Sequence, residues 1–167
     1  MADAATMSGY SSRPFLLQRV QPAMTGLIDG SLSTLAPIFT VALATHRPQY
    51  AFFAGLATAI GAGVSMAFSE GLSDTGQLTG RGSAYLRGSI TGAGTFLGGI
   101  VHTLPFLIPQ YSVALVVAVI VITVELLTLS WIRSRFFDTG FLGSFVSVAL
   151  GGAIIAGVSA ALGGAAG

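Results

Sequence analysis

The sequence lacks cysteine and lysine and carries little charge of either sign. Without cysteine, a disulfide framework, thiolate metal sites and cysteine catalysis are excluded, so metal chemistry must use carboxylates, methionine, histidine, hydroxyls or carbonyls. Only 8% of the residues are charged and 53% are apolar, a composition that cannot cover a soluble globule. The formal net charge of +1 gives no support for nucleic-acid binding. The sequence therefore predicts an integral membrane protein whose partner is the lipid bilayer.

Hydropathy divides the chain into a short leading segment and one membrane domain. Residues 1–20 are predicted to be a cytoplasmic N-terminal segment, because no basic stretch followed by an apolar core marks a cleaved signal peptide. Residues 21–167 are predicted to be the membrane domain, and the fold class is all-α with five transmembrane helices. The predicted spans are 22–45, 50–72, 88–108, 111–132 and 141–162.

The arginines predict how these spans are oriented. With five spans, Arg47 falls on one side of the membrane and the other six arginines fall on the opposite side. Those six are Arg13, Arg19, Arg81, Arg87, Arg133 and Arg135. Because basic loops stay in the cytoplasm, the N-terminus is predicted to be cytoplasmic and the C-terminus to lie on the opposite side. Glycine is abundant in the third and fifth spans, where close helix packing is favoured over a pore-lining role.

One carboxylate, Asp29, lies inside the first predicted span. A charge there is costly, so it indicates a site for an ion or a proton. Pro37 has no amide hydrogen for the carbonyl of Ser33, which predicts a kink one turn after Asp29. Spacings of four and eleven residues place Thr25, Ser33 and Thr40 on the same helix face as Asp29. In a membrane this polar stripe must face protein, water or a substrate.

The end of the second predicted span carries a second set of candidate ligands. Met66, Glu70 and Asp74 are spaced by four residues and share one helix face. Because Asp29 and Glu70 lie at similar predicted depth, the two carboxylates and the thioether suit Fe²⁺ or Mn²⁺, and methionine favours iron. Two close carboxylates would hold a proton in the empty site, and its displacement by metal predicts proton-coupled exchange. The alternative has Glu70 at the interface and Met66 facing lipid.

Two more ionisable residues fall inside predicted spans. Glu125 lies within the fourth span, where its own helix face offers no cation. It is a candidate proton carrier, although a structural hydrogen bond between helices is slightly favoured. His102, in the outer half of the third span, is typical of a buried hydrogen bond, with a proton relay or exit path as the alternative. No nucleophile with a plausible base and no phosphate loop is present, so an enzyme is not expected.

Two stretches, 26–37 and 63–70, resemble the first two spans of the vacuolar iron transporter family, and the Asp-Gly-Ser…Ala-Pro motif of the first is specific. Further resembling stretches are 78–82, 102–105 and 131–139. The closer resemblance is to the membrane half of bacterial membrane-bound ferritin proteins, which fuse a ferritin-like domain to such a transporter. The resemblance covers nearly the whole chain from Gln21 onward.

The resemblance implies a dimeric five-helix protein, expected in a bacterial inner membrane, that exports Fe²⁺ or Mn²⁺ from the cytosol in exchange for protons. It places the intramembrane ligands on Asp29, Met66 and Glu70, with the metal as substrate, the proton as counter-ion and no permanently bound cofactor. The long metal-collecting helices of plant-type members are replaced by a short loop in which Asp74 is the acid. A ferritin-like domain is also missing, so a separate ferritin-like or other metal-delivering protein is a possible partner.

Two alternatives stay open at this point. One is a non-transporting dimeric membrane module or anchor subunit descended from such a transporter. The other is a proton-coupled transporter of another substrate, in which Asp29 acts as the proton switch.

Overall fold

The computed structural model describes residues 14–77, 79–137 and 139–166, and the predicted N-terminal segment up to residue 13 lies outside them. The described chain is helical throughout and contains no strand, which confirms the all-α class for this part. A π-helical turn at Leu16–Val20 leads into the first helix, and a 3₁₀ turn at Leu104–Leu107 follows the fourth. The helices are α1 (Gln21–Ser33), α2 (Leu35–Thr45), α3 (Pro48–Ser73), α4 (Ala84–Val101), α5 (Tyr111–Phe136) and α6 (Phe141–Ala166).

Four helical segments in the described chain are long and apolar enough to cross a membrane. They are the segment Leu16–Thr45, which contains α1 and α2, and the helices α3, α5 and α6. These four match the first, second, fourth and fifth predicted spans. The third predicted span, 88–108, overlaps α4, whose 18 residues include Arg87 and many glycines and hydroxyls that lower its hydropathy. The structure therefore supports four candidate spans where five were predicted.

The helix α4 packs against α1 through direct backbone contact. Gly94 and Gly98 of α4 lie against the α1 backbone, and Gly26 and Gly30 of α1 lie against the α4 backbone. A Cβ atom added at Gly30 would overlap the carbonyl oxygen of Thr95. Glycines spaced by four residues on both helices allow this approach, which larger residues would prevent.

The opposite face of α4 packs against α3, again through small residues. A Cβ atom at Gly88 would lie 2.6 Å from the carbonyl oxygen of Ala67, and one at Gly92 would lie 2.6 Å from that of Gly63. The predicted packing role of the third-span glycines is therefore confirmed, and these contacts lie within one chain. On α6, by contrast, Gly157 has no described atom within 4 Å of the added Cβ position.

The first span is interrupted at Thr34, between α1 and α2. The amide of Thr34 reaches the carbonyl of Gly30 at a long 3.4 Å. The Ser33 carbonyl has no helical donor, because Pro37 lacks an amide hydrogen. This irregularity lies one turn after Asp29, at the position where the sequence predicts a kink.

The arginine-bearing segments meet at one end of the bundle, which we call the arginine end. There Gln18 donates to the carbonyl of Gly80 at 3.4 Å, and Gln21 and Arg133 line one cavity. At the opposite end, the turn that carries Arg47 joins α2 to α3. Phe106, in the turn after α4, packs in the hydrophobic core at that opposite end. The helix α4 thus runs from the arginine end to the other end, between α1 and α3.

Replacing Gly30 by alanine should destabilise the bundle, because the new methyl group would overlap the Thr95 carbonyl of α4. Overpacking costs typically about 1–3 kcal/mol, and a helix backbone yields less than a flexible side chain. The melting temperature is measured as the temperature at which the protein, heated in detergent, loses its monodisperse elution peak. Gly61→Ala on α3 is the matched control, since its methyl group meets open space and alanine favours the helix by about 0.5–1 kcal/mol. Equal melting temperatures would contradict the proposed backbone contact.

Candidate functional site

A row of oxygen atoms runs along α1, which we call the oxygen row. Gln21, Thr25, Asp29 and Ser33 follow one another at four-residue intervals and share one helix face. Asp29 is half-buried and has no hydrogen-bond or ion-pair partner among the described residues. Within the same part of the chain, Gln21 Oε1 and Ser33 Oγ are buried without a hydrogen-bond partner. Buried oxygens without partners are costly, so this row offers acceptors to a ligand.

The oxygen row begins in a cavity at the arginine end. The cavity has a volume of about 240 Å³. Its lining residues are Gln21, Met24, Thr25, Ile28, Arg133, Phe137 and Thr139. Thr25, the second member of the oxygen row, lines this cavity and lies one helical turn before Asp29. Thr40, predicted on the same stripe, lies on α2 and donates to the carbonyl of Ser159 at 3.5 Å.

An ion-pair cluster centred on Arg87 closes the arginine end. The Arg87 side chain is completely buried, and its Nε donates to Glu70 Oε1 at 2.8 Å. Its two Nη atoms donate to the carbonyls of Gly82 and Asp74, both at 2.8 Å. Arg81 Nη2 lies 2.8 Å from the same Glu70 oxygen. Since a guanidinium presents five donors, Arg87 can bind carbonyls of the loop after α3 and Glu70 at the same time, while Arg81 pairs with the same Glu70 oxygen.

Asp74 organises the loop that follows α3. Its two carboxylate oxygens accept from the amide of Gly76 at 2.7 Å and from the hydroxyl of Thr79 at 2.5 Å. The Thr79 hydroxyl and the Gly76 amide, with the charges of Arg87 and Arg81, hold the pKa of Asp74 below its ordinary 3.8. Asp74 is therefore an ionised structural residue of the loop at neutral pH.

Two of the predicted metal ligands, Glu70 and Asp74, are engaged by arginine in the structure. Across the described ranges, no three histidine or acidic side chains converge as a ligand group. Glu70 and Asp74 contact Arg87, at 2.8 and 3.7 Å, because this arginine of α4 enters the bundle between them. Met66 lies half-buried on α3, and Asp29 lies apart on α1. Glu70 thus shares its charge with arginines and not with a second carboxylate.

Inside the bundle, His102 and Glu125 form a hydrogen-bonded pair that joins α1, α4 and α5. His102 Nδ1 lies 2.7 Å from Glu125 Oε2, and His102 Nε2 lies 2.6 Å from the hydroxyl oxygen of Thr34. The hydroxyl of Ser31 lies 2.7 Å from the other Glu125 oxygen. His102 is 1% exposed, while one edge of Glu125 opens into a groove of about 380 Å³ on the surface. The His102–Glu125 pair therefore binds the break of the first span to α4 and α5.

The sequence named His102 and Glu125 separately and missed their pairing. It also assigned Ser33 and Thr25 to the proton path, whereas the bonded hydroxyls belong to Ser31 and Thr34. A signal for the pairing was present, because Thr34 and His102 continue the four-residue spacing of the glycines. The matching positions are Gly26, Gly30 and Thr34 on the first span and Gly94, Gly98 and His102 on the third.

Comparisons of the chain with protein-family models, with curated proteins and with solved structures found no match. The fold and the site themselves define the class. This is an all-helical protein with four candidate membrane-crossing helices, which indicates a membrane protein. The resemblance to vacuolar iron transporters, and the function it implies, stay predictions.

Replacing Arg87 by methionine should destabilise the protein by roughly 3 kcal/mol or more, because Glu70 and several loop carbonyls lose a buried donor. Arg81→Met should cost no more than about 1 kcal/mol, since its side chain is partly exposed. Unfolding by SDS titration in mixed micelles compares the two variants. Adding Glu70→Met to Arg87→Met should restore part of the loss. Equal effects of the two arginine substitutions would contradict the central role of Arg87.

Asp74 should make the arginine end sensitive to acid. Its folded pKa lies below 3.8, so its contribution to stability is fully present above pH 3.8 and is lost as the pH falls through the folded value. Thr79→Val removes the largest cause of the lowered pKa, so the variant should be less stable at neutral pH and should lose less on acidification. Melting temperatures from neutral pH to below 3.8 test this. Ser73→Ala is the control; if Thr79→Val follows the wild-type curve, the assignment is wrong.

Proposed function

We propose that the protein exchanges protons for a divalent transition-metal ion, Fe²⁺ or Mn²⁺, and that Asp29 is the carboxylate that binds either one. One observation carries this proposal. Of the four acids in the described chain, Asp29 alone has no protein partner, since Glu70 and Asp74 contact arginine and Glu125 contacts His102. A carboxylate inside a candidate span is costly unless a proton or a cation neutralises it.

The oxygen row supports a cation as the ligand of Asp29. The Ser33 hydroxyl and the Ser33 carbonyl lie one turn from the carboxylate, and neither has a regular partner in the described structure. Oxygen donors of this kind suit hard and borderline divalent ions, and a contribution from Met66 would favour iron. In this proposal Glu70 joins the site only by leaving its two arginines. The cavity beside Thr25 is the entrance from the arginine end.

We further propose that α4 is a fifth crossing and that the arginine end is cytoplasmic. The helix runs the length of the bundle, and its glycines pack against neighbouring helices and not against lipid. A helix packed in this way can cross a membrane with low hydropathy. With five crossings the positive-inside rule puts the N-terminus in the cytoplasm and the C-terminus on the opposite side. Metal would then enter from the cytosol and leave at the far end. A homodimer in a bacterial inner membrane is the state that the family resemblance favours.

Proteoliposomes containing the protein should take up Mn²⁺ and Fe²⁺ under an imposed pH gradient, with protons moving the opposite way. Calcein quenching reports the metal, and pyranine reports the protons. Asp29→Asn keeps the size of the side chain but removes its charge. It should reduce the initial transport rate by roughly tenfold or more. Loss of a residue that only supports a metal ligand already costs about tenfold, and loss of the ligand itself should cost at least as much.

Two further variants make this experiment specific. Thr123→Val is the control, because its hydroxyl is exposed and bonds only to its own helix. Glu70→Gln tests whether Glu70 is a metal ligand or only an ion-pair residue. If Glu70 only forms ion pairs, the substitution should lower stability without changing the transport rate per folded molecule. Transport by Asp29→Asn at the wild-type rate would overturn the proposal.

A second candidate function is a non-transporting membrane module. The open small-residue face of α6 favours it, because Gly143, Gly157 and Gly164 have no described atom within 4 Å of an added Cβ. Such a face suits close packing with a helix of another chain. Two results together would favour the module. The wild-type protein would move neither metal nor protons, and variants with cysteines placed on this face would form a specific crosslink.

A further inference from the structure

The His102–Glu125 pair is an ionisable centre that proton exchange at Asp29 does not use. On α1 the nearest titratable residue is Asp29, which makes no bond to the pair, and on α5 it is Arg133, about two turns after Glu125. The buried residues of α3 are apolar or glycine, and α6 contains no titratable residue. Within the described ranges, the further hydrogen-bond partners of the pair are the hydroxyls of Ser31 and Thr34.

The hydrogen bonds at Thr34 determine where protons lie. The Thr34 hydroxyl donates to the carbonyl of Gly30 at 2.8 Å, and a carbonyl can only accept. Its single proton is then used, so the 2.6 Å contact requires His102 Nε2 to donate to the Thr34 oxygen. A second proton must lie between His102 Nδ1 and Glu125 Oε2, because two bare acceptors would not approach to 2.7 Å. The Ser31 hydroxyl lies 2.7 Å from both the Leu27 carbonyl and Glu125 Oε1, so its single proton is shared between these two acceptors. With that shared bond, the pair holds two protons and is electrically neutral.

We infer that His102 and Glu125 bind one exchangeable proton as a unit, and that this proton holds the break of the first span closed through Thr34. Neutrality favours the protonated pair inside the bundle, where an uncompensated charge is costly. The use of this proton as the counter-ion for metal at Asp29 rests on the proposed function. The proton site itself does not.

Release of the proton requires a specific rearrangement. The proton leaves to water, one proton stays between His102 Nδ1 and Glu125, and Nε2 becomes an acceptor. The Thr34 hydroxyl must then turn from the Gly30 carbonyl to Nε2, since it has a single proton to donate. The Gly30 carbonyl keeps only the Thr34 amide at 3.4 Å, which is a weak bond. Deprotonation thus weakens the hydrogen bonding of the break itself.

Nitrogen-15 labelling of histidine tests the proton site without metal or a pH gradient. The chain has two histidines, so His46→Asn leaves His102 as the only signal, and asparagine tolerates the left-handed backbone of position 46. We expect a protonated Nε2 at low pH. Glu125→Gln should change the Nδ1 signal, because a neutral amide replaces the carboxylate that shares the proton with this nitrogen. An unprotonated Nε2 at low pH, or an unchanged Nδ1 signal, would overturn the inference.

Amide hydrogen exchange of a peptide covering residues 33–38 tests the link to the break. After correction for intrinsic rates, exchange in the wild type should rise several-fold above the His102 midpoint. In Glu125→Gln it should stay slow at every pH, because the glutamine amide can donate to Nδ1, and neutral His102 then keeps its proton on Nε2. Thr34→Val should exchange fast throughout, Thr34→Ser should behave as wild type, and Thr123→Val is the lipid-facing control. Wild-type exchange that does not change across the midpoint would refute the link.

These measurements separate the inference from the proposed function. Transport without the shared titration would exclude the proton site and leave the proposed function standing. The titration without any transport would leave the proton site standing and exclude the proposed function.

Discussion

The backbone contact between α1 and α4 is the constraint on which the rest of the structure depends. Because glycine faces backbone at four-residue intervals on both helices, the two helices are held side by side in a single register. One further step of four residues brings His102 to Thr34. The packing of small residues therefore decides which hydroxyl meets which ring nitrogen.

The helix α4 also decides which acids are available. It carries the Arg87 guanidinium near one end and the His102 imidazole at the other, and each binds an acid of a neighbouring helix. Arg87 binds Glu70 of α3, and His102 binds Glu125 of α5. Asp29 of α1 receives no such partner among the described residues. The chemical distinction of Asp29 thus comes from α4, although α4 never touches its carboxylate with a polar group.

The sequence predicts the helical class, four of the spans and the irregularity before Pro37, since hydropathy and the missing proline amide are local properties. It does not predict the partner of Glu70, because in the sequence Arg87 resembles any arginine at a membrane interface. The His102–Glu125 pair depends on helix register, for which the glycine spacing is a weak local signal. The hydropathy of α4 is lower than that of the four candidate spans because α4 packs between helices, and burial by protein does not require an apolar sequence.

The oxygen row and the His102–Glu125 pair lie on opposite faces of the first span. At about 100° per residue, Ser33 is about 40° from Asp29, whereas Ser31 and Thr34 are about 200° and 140° away. Thr34, which binds His102, directly follows Ser33, the last member of the oxygen row. A cation on one face and a proton on the other would thus bias the same structural element. Such a shared two-state element is the physical requirement for coupling two sites without direct contact between their ligands.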